Sequence, residues 1–85
     1  MNIKLLNELN DIANKIYKSN LDWEQKYDLI FSDSLSKVVF NEIYIDYYDP
    51  DTSYKEDITA FVNAFNEKMK QLNTIFKEGY WYGKL

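Results

Sequence analysis

An all-α fold, a small bundle of three to four helices, is what this 85-residue sequence predicts. Three observations carry that prediction. Apolar residues recur at helical spacing in the first and last thirds of the chain; Ser, Asn and Asp stand where helices would begin; and two glycines and one proline leave little material for the turns of an all-β domain. The size is that of one domain spanning residues 1–85, near the lower range in which a single core holds a fold without staples.

The first helix is expected from about Ile3 to Lys18, where Leu5/Leu6, Leu9, Ile12/Ala13 and Ile16/Tyr17 follow the three-to-four spacing of a buried face. Ser19-Asn20 ends it. Either residue is a candidate cap for a second, short helix of roughly 21–31, with Asp22 and Glu24 in the first turn and Trp23, Tyr27 and Ile30/Phe31 on its inner face. "SDSLSK" (32–37) is a further start signal, and the period from Leu35 to Ile43 is helical. The β-branched and aromatic density of "VVFNEIYIDYY" keeps a strand open for its latter part. A minor two-stranded ribbon of Glu42–Tyr48 with Gly79–Lys84 would make the fold α+β. The last helix has the clearest pattern. Ser53 and Glu56 form a capping-box signature, Ile58, Phe61/Val62, Phe65, Met69, Leu72 and Ile75/Phe76 form one stripe, and the helix is expected to run from about Tyr54 to Lys77, stopping near Gly79.

Among the aromatics, Trp23, Phe31, Phe40, Phe61, Phe65 and Phe76 are expected in the core, and Tyr80, Trp81 and Tyr82 are expected to pack back on the bundle. There is no cysteine, so no disulfide framework and no thiolate metal site, which fits a reducing, cytoplasmic setting. The N-terminal stretch mixes charge and amide throughout, unlike a signal peptide, and no apolar run is long enough to span a membrane. All ten basic residues are lysines, and nine asparagines accompany them, a composition typical of AT-rich coding.

The net charge of −4 is unevenly spread. Residues 22–57 carry ten acidic residues against three lysines, a net −7, while the two flanks are slightly positive. An acidic middle repels nucleic acid and attracts basic surfaces, and without arginine the main phosphate-clamping and base-reading side chain is missing. Direct nucleic-acid binding is therefore not expected. Nor is catalysis: histidine and cysteine are absent, a paired-carboxylate cleft is hard to build at this size, and the only glycines, Gly79 and Gly83, cannot form a phosphate loop. No cofactor is expected.

The densest charge lies in "DYYDPDTSYKED" (46–57), with five carboxylates and three tyrosines. Read as a calcium loop from Asp49, it has Tyr54 where glycine is required and Ala60 where a bidentate glutamate is required, so it fails at two decisive points. Two readings stay open. In the first, Asp49-Pro50-Asp51-Thr52-Ser53 is a turn, and Asp51, Glu56 and Asp57 sit where the helix dipole favours anions. In the second, Asp46, Asp49, Asp51, Glu56 and Asp57, with Glu24 and Asp28 one helical turn apart, form an acidic face that mimics phosphates, and Tyr47, Tyr48 and Tyr54 supply rigid contact area for a protein partner.

"LDWEQKYDLIFSDSLSK" and "DYYDPDTSYKEDITAFVNAF" resemble small proteins carried by phages and prophages of low-GC Gram-positive bacteria. Small acidic proteins of this general type include anti-CRISPR proteins and other inhibitors of host defence, several of which cover a DNA-binding surface. The resemblance implies a non-enzymatic inhibitor in the host cytoplasm that binds a basic, nucleic-acid-handling host protein; it assigns no residue. The alternative is a structural or adaptor protein that self-associates through its aromatic face or tail.

Overall fold

A computed structural model describes residues 2–45 and 51–82. Four helices follow in order: α1 (Ile3–Lys18), α2 (Trp23–Ile30), α3 (Asp33–Glu42) and α4 (Tyr54–Tyr82). No described residue belongs to a strand. The bundle is all-α.

Helix α1 begins at Asn2, whose side-chain oxygen accepts from the Leu5 amide at 3.0 Å. It ends at Ser19, whose hydroxyl donates to the Ile16 carbonyl at 2.7 Å. Ser19 therefore closes α1 and does not open α2. Asp22 caps α2, accepting from the Gln25 amide at 2.9 Å while the Gln25 side chain accepts from the Asp22 amide at 3.4 Å, a complete capping box. At α3 the helix starts where the serines suggest, yet Ser32 makes no side-chain cap: its hydroxyl turns back to the Leu29 carbonyl at 2.9 Å.

The capping box at α4 is half formed. Ser53 Oγ accepts from the Glu56 amide at 3.3 Å, and the Glu56 carboxylate takes the Ser53 hydroxyl at 3.1 Å instead of reaching the backbone. At its far end α4 continues past the expected stop. Gly79 does not turn the chain, since no described residue has a positive φ, and one glycine costs a helix only about 1 kcal/mol against alanine. Gly79–Tyr82 lies in this helix, so the ribbon with Glu42–Tyr48 does not form; Tyr47, Tyr48, Gly83 and Lys84 fall outside the described residues. The 29 residues of α4 span about 43 Å and make the molecule elongated, 49 × 23 × 20 Å.

The core gathers on α4. Ile58, Phe61, Val62, Phe65 and Met69 are buried there against Leu6 and Ala13 of α1, Ile30 of α2, Leu35 and Val39 of α3, and Ile43 and Ile45 beyond it. Phe61 is its centre, with ring centroids 5.0 Å from Phe31, 5.8 Å from Phe40 and 5.8 Å from Phe65. Trp23 and Phe31 are only partly buried, and Phe40 is more exposed than expected because its ring covers one edge of Phe61 at the end of α3. The expected places of the Phe76, Tyr80, Trp81 and Tyr82 side chains fall outside what is described.

Along one edge, α1 and α4 run antiparallel and are joined by a polar seam. Asn14 and Asn66 exchange amide hydrogen bonds of 2.8 and 3.2 Å, Asn7 and Asn73 exchange bonds of 3.2 and 3.1 Å, and the Tyr17 and Thr59 hydroxyls meet at 3.2 Å. On both helices the asparagines are seven residues apart, so a slip of one turn would break both pairs. Asn10, on the same face of α1, keeps a buried Oδ1 without a hydrogen bond. We expect Asn14→Ala to cost about 1–2 kcal/mol, because it strands the part-buried Asn66 amide. Replacing both asparagines with leucine should recover most of that loss. Denaturant unfolding of the full cycle should give a coupling above about 0.5 kcal/mol; a coupling near zero would mean that the amides are solvated individually.

Candidate functional site

The short helix α2 lies across the first turns of α4, and aromatic rings fill the joint. Tyr27 packs on Phe31 (4.6 Å between centroids) and on Tyr54 (4.8 Å), and Phe31 carries the contact inward to Phe61. This arrangement follows from spacing. Trp23, Tyr27, Ile30 and Phe31 fall on adjoining inner positions of α2, leaving Glu24 and Asp28, four residues apart, on its exposed side.

Tyr54 is 48 % exposed, so it packs with one face and presents the other to solvent. Two exposed carboxylates bracket it in the chain, Asp51 in the turn before α4 and Glu56 in the first turn. The Tyr27–Tyr54 contact thus joins two acidic segments, Glu24/Asp28 on α2 and Asp51/Glu56 at the entrance of α4. Of the residues expected at a partner surface, Tyr54 lies in this contact, and Glu24, Asp28, Asp51 and Glu56 are exposed on the two segments that it joins.

Asp57 is a correction to that set. It is only 8 % exposed, its carboxylate accepts the Thr52 hydroxyl, and its amide donates to Ser53 O at 3.0 Å. A carboxylate enclosed in the turn that starts α4 stabilises that turn and is withdrawn from a partner. Asp46, Tyr47, Tyr48 and Asp49, also expected at the surface, lie outside the described residues.

The sequence reading missed the cations at this joint. Lys26 is 5 % exposed; its ammonium lies 4.0 Å from the Trp23 ring centroid and donates to the Tyr17 carbonyl at 2.7 Å. That carbonyl belongs to the last turn of α1, where the helix leaves acceptors unpaired and the dipole favours positive charge. Lys26 therefore fastens α1 to α2. On the same indole, Lys55 of α4 lies 5.7 Å from the centroid, and the Tyr17 ring lies 5.8 Å away. A signal was present: Lys26 falls between Trp23 and Ile30 at the three-to-four spacing of the inner face, where a lysine requires a buried acceptor.

The site offers carboxylates, phenols and hydroxyls over an open surface. A shallow depression lined by Ser53, Lys55, Glu56, Thr59, Ala60 and Asn63 lies along the first turns of α4. No group of three or more His, Cys, Asp or Glu residues suited to a metal ion occurs among the described residues, and no described helix is long and apolar enough to cross a membrane. No family model, curated protein or solved structure matches this chain.

Proposed function

We propose that this protein is a non-enzymatic inhibitor that binds a basic, nucleic-acid-handling host protein through the α2–α4 joint, in the manner of phage anti-defence proteins. The observation that carries the reading is the Tyr27–Tyr54 contact, a half-exposed aromatic anchor that joins the helix bearing the exposed Glu24 and Asp28 to the segment bearing the exposed Asp51 and Glu56. Carboxylates held on α2, in the turn before α4 and in its first helical turn stand in for phosphates, and a tyrosine already packed on its neighbour loses little conformational freedom on binding. Acidic charge over residues 22–57 would also speed encounter with a basic surface.

The partner is identified by capture from a lysate of a low-GC Gram-positive host. The captured protein should be basic, should bind nucleic acid, and should elute as salt rises, because exposed charges separated by more than a Debye length of about 10 Å at 0.1 M are screened. A captured partner that is acidic, or that stays bound at molar salt, would replace this reading with one of apolar association.

A further inference from the structure

We propose that residues 43–45, at the exit of α3, form an open strand edge that takes up an extended, basic segment of the partner by strand addition. Three observations carry this. Ile43 has left the helix for extended backbone, with φ −140° and ψ 141°. The side chains then alternate as on a strand: Ile43 and Ile45 are 7 % and 6 % exposed, while Tyr44 between them is 77 % exposed. Among the described residues the Ile43 amide donates to the Val39 carbonyl at 2.8 Å, whereas the backbone of Tyr44 makes no hydrogen bond. The two isoleucines therefore pin the segment to the core, and the N–H and C=O of Tyr44 are left for a neighbour. A strand laid antiparallel on this edge exchanges both backbone bonds with Tyr44. The β-branched and aromatic composition of the tract suits that geometry.

Charge selects the occupant. Glu42, two residues before Tyr44, is exposed, and in the sequence Asp46 follows Tyr44 by two. A second copy paired antiparallel about Tyr44 would set glutamate against aspartate twice, and a parallel copy would set each acid beside itself. Like charges directly opposite one another are destabilising, so a second copy is rejected. A segment with lysine or arginine two residues before and two residues after the one opposite Tyr44 complements both acids. The edge also adjoins the α2–α4 joint. Phe40, four residues before Tyr44, and Phe31 both pack on Phe61, at 5.8 and 5.0 Å between centroids. Taking the segment from the basic partner rests on the function proposed above.

Titration of the full chain, isotope-labelled for NMR, with the blocked peptide Lys-Val-Thr-Val-Lys at low salt tests it. A ladder this short is weak, so the dissociation constant should be roughly 1 mM, with the Tyr44 and Ile45 amide signals shifting together. Tyr44→Pro removes the donor, and extended backbone at Ile43 is already what a following proline requires. That variant should keep its helical circular dichroism and bind the peptide about tenfold or more weakly. Tyr44→Thr keeps the amide and the strand propensity and should bind within about threefold of wild type. The peptide Glu-Val-Thr-Val-Glu should bind about tenfold or more weakly than the lysine peptide. Where Tyr44→Pro perturbs folding, Lys-Val-Pro-Val-Lys on the wild type replaces it, since that peptide has no central donor and should lose as much. Absence of shifts at Tyr44 and Ile45 overturns the proposal, as does equal loss in Tyr44→Thr and Tyr44→Pro, or equal binding of the acidic, basic and proline peptides. The peptide stands in for the partner, so its failure leaves the capture result untouched, and an acidic captured protein would leave this titration untouched.

Discussion

Replacing Phe61 with alanine should lower the unfolding free energy by about 3–5 kcal/mol, the range found for removing a buried phenylalanine ring. Phe61 is fully buried and three other phenylalanine rings meet it, from the residue that ends α2, from α3 and from the next turn of α4. A small domain holds about 5–15 kcal/mol in total, so this one change consumes a large share. Urea unfolding followed by circular dichroism would measure it. Phe40→Ala should cost clearly less, because that ring is partly in water at the end of α3. Equal losses at the two positions would show that the core is not centred on Phe61.

Neutralising Glu24, Asp28 and Asp51 together, as Glu24→Gln, Asp28→Asn and Asp51→Asn, should slow association with the partner by about tenfold or more at low salt. All three side chains are exposed, and surface substitutions such as those at Glu24 and Asp28 usually change stability by less than about 0.5 kcal/mol each. Glu56 is left in place because its carboxylate holds the Ser53 hydroxyl at the start of α4. The effect should fade as salt is raised, and dissociation should change less than association. Stopped-flow or surface-binding kinetics at two ionic strengths would separate these terms. A variant with unchanged kinetics would reduce the three carboxylates to solvation of α2 and a turn.

Much of the architecture is legible in the sequence because the helices obey one period over long stretches. The α1 stripe from Leu5 to Tyr17 and the α4 stripe from Ile58 to Leu72 leave no competing pattern. The starts are harder. In "SNLD" serine, asparagine and aspartate are all able to cap, and only the chain path decides that Ser19 ends α1 while Asp22 begins α2. Gly79 is a helix stop by statistics, yet a single glycine is tolerated when the flanking residues continue the helix. The strand-like composition of residues 38–48 reflects Val39, Ile43 and Ile45 serving the core, which rewards β-branched bulk in a helix and its exit as readily as in a strand.

At the candidate site, exposure of Glu24, Asp28, Asp51 and Glu56 follows from helical position and turn chemistry, both readable in advance. The enclosure of Asp57 does not, since it depends on Thr52 folding back over the first turn of α4. Lys26 was overlooked because a lysine is ordinarily assigned to solvent, and its acceptor, the Tyr17 carbonyl, lies on another helix. The asparagine pairs show the same limit. Their seven-residue spacing is visible in each helix, but which rows face one another is decided by the antiparallel packing of α1 on α4.

The central claim is that the acidic joint of α2 and α4 occupies a surface that otherwise holds nucleic acid. Fluorescence anisotropy of a labelled oligonucleotide bound to the captured partner, titrated with this protein, tests it most directly. The account predicts that wild type displaces the oligonucleotide completely, with a midpoint that rises with salt, and that the triple-neutral variant requires about tenfold or more protein to do the same. Formation of a ternary complex, with the oligonucleotide retained while this protein binds, would contradict it.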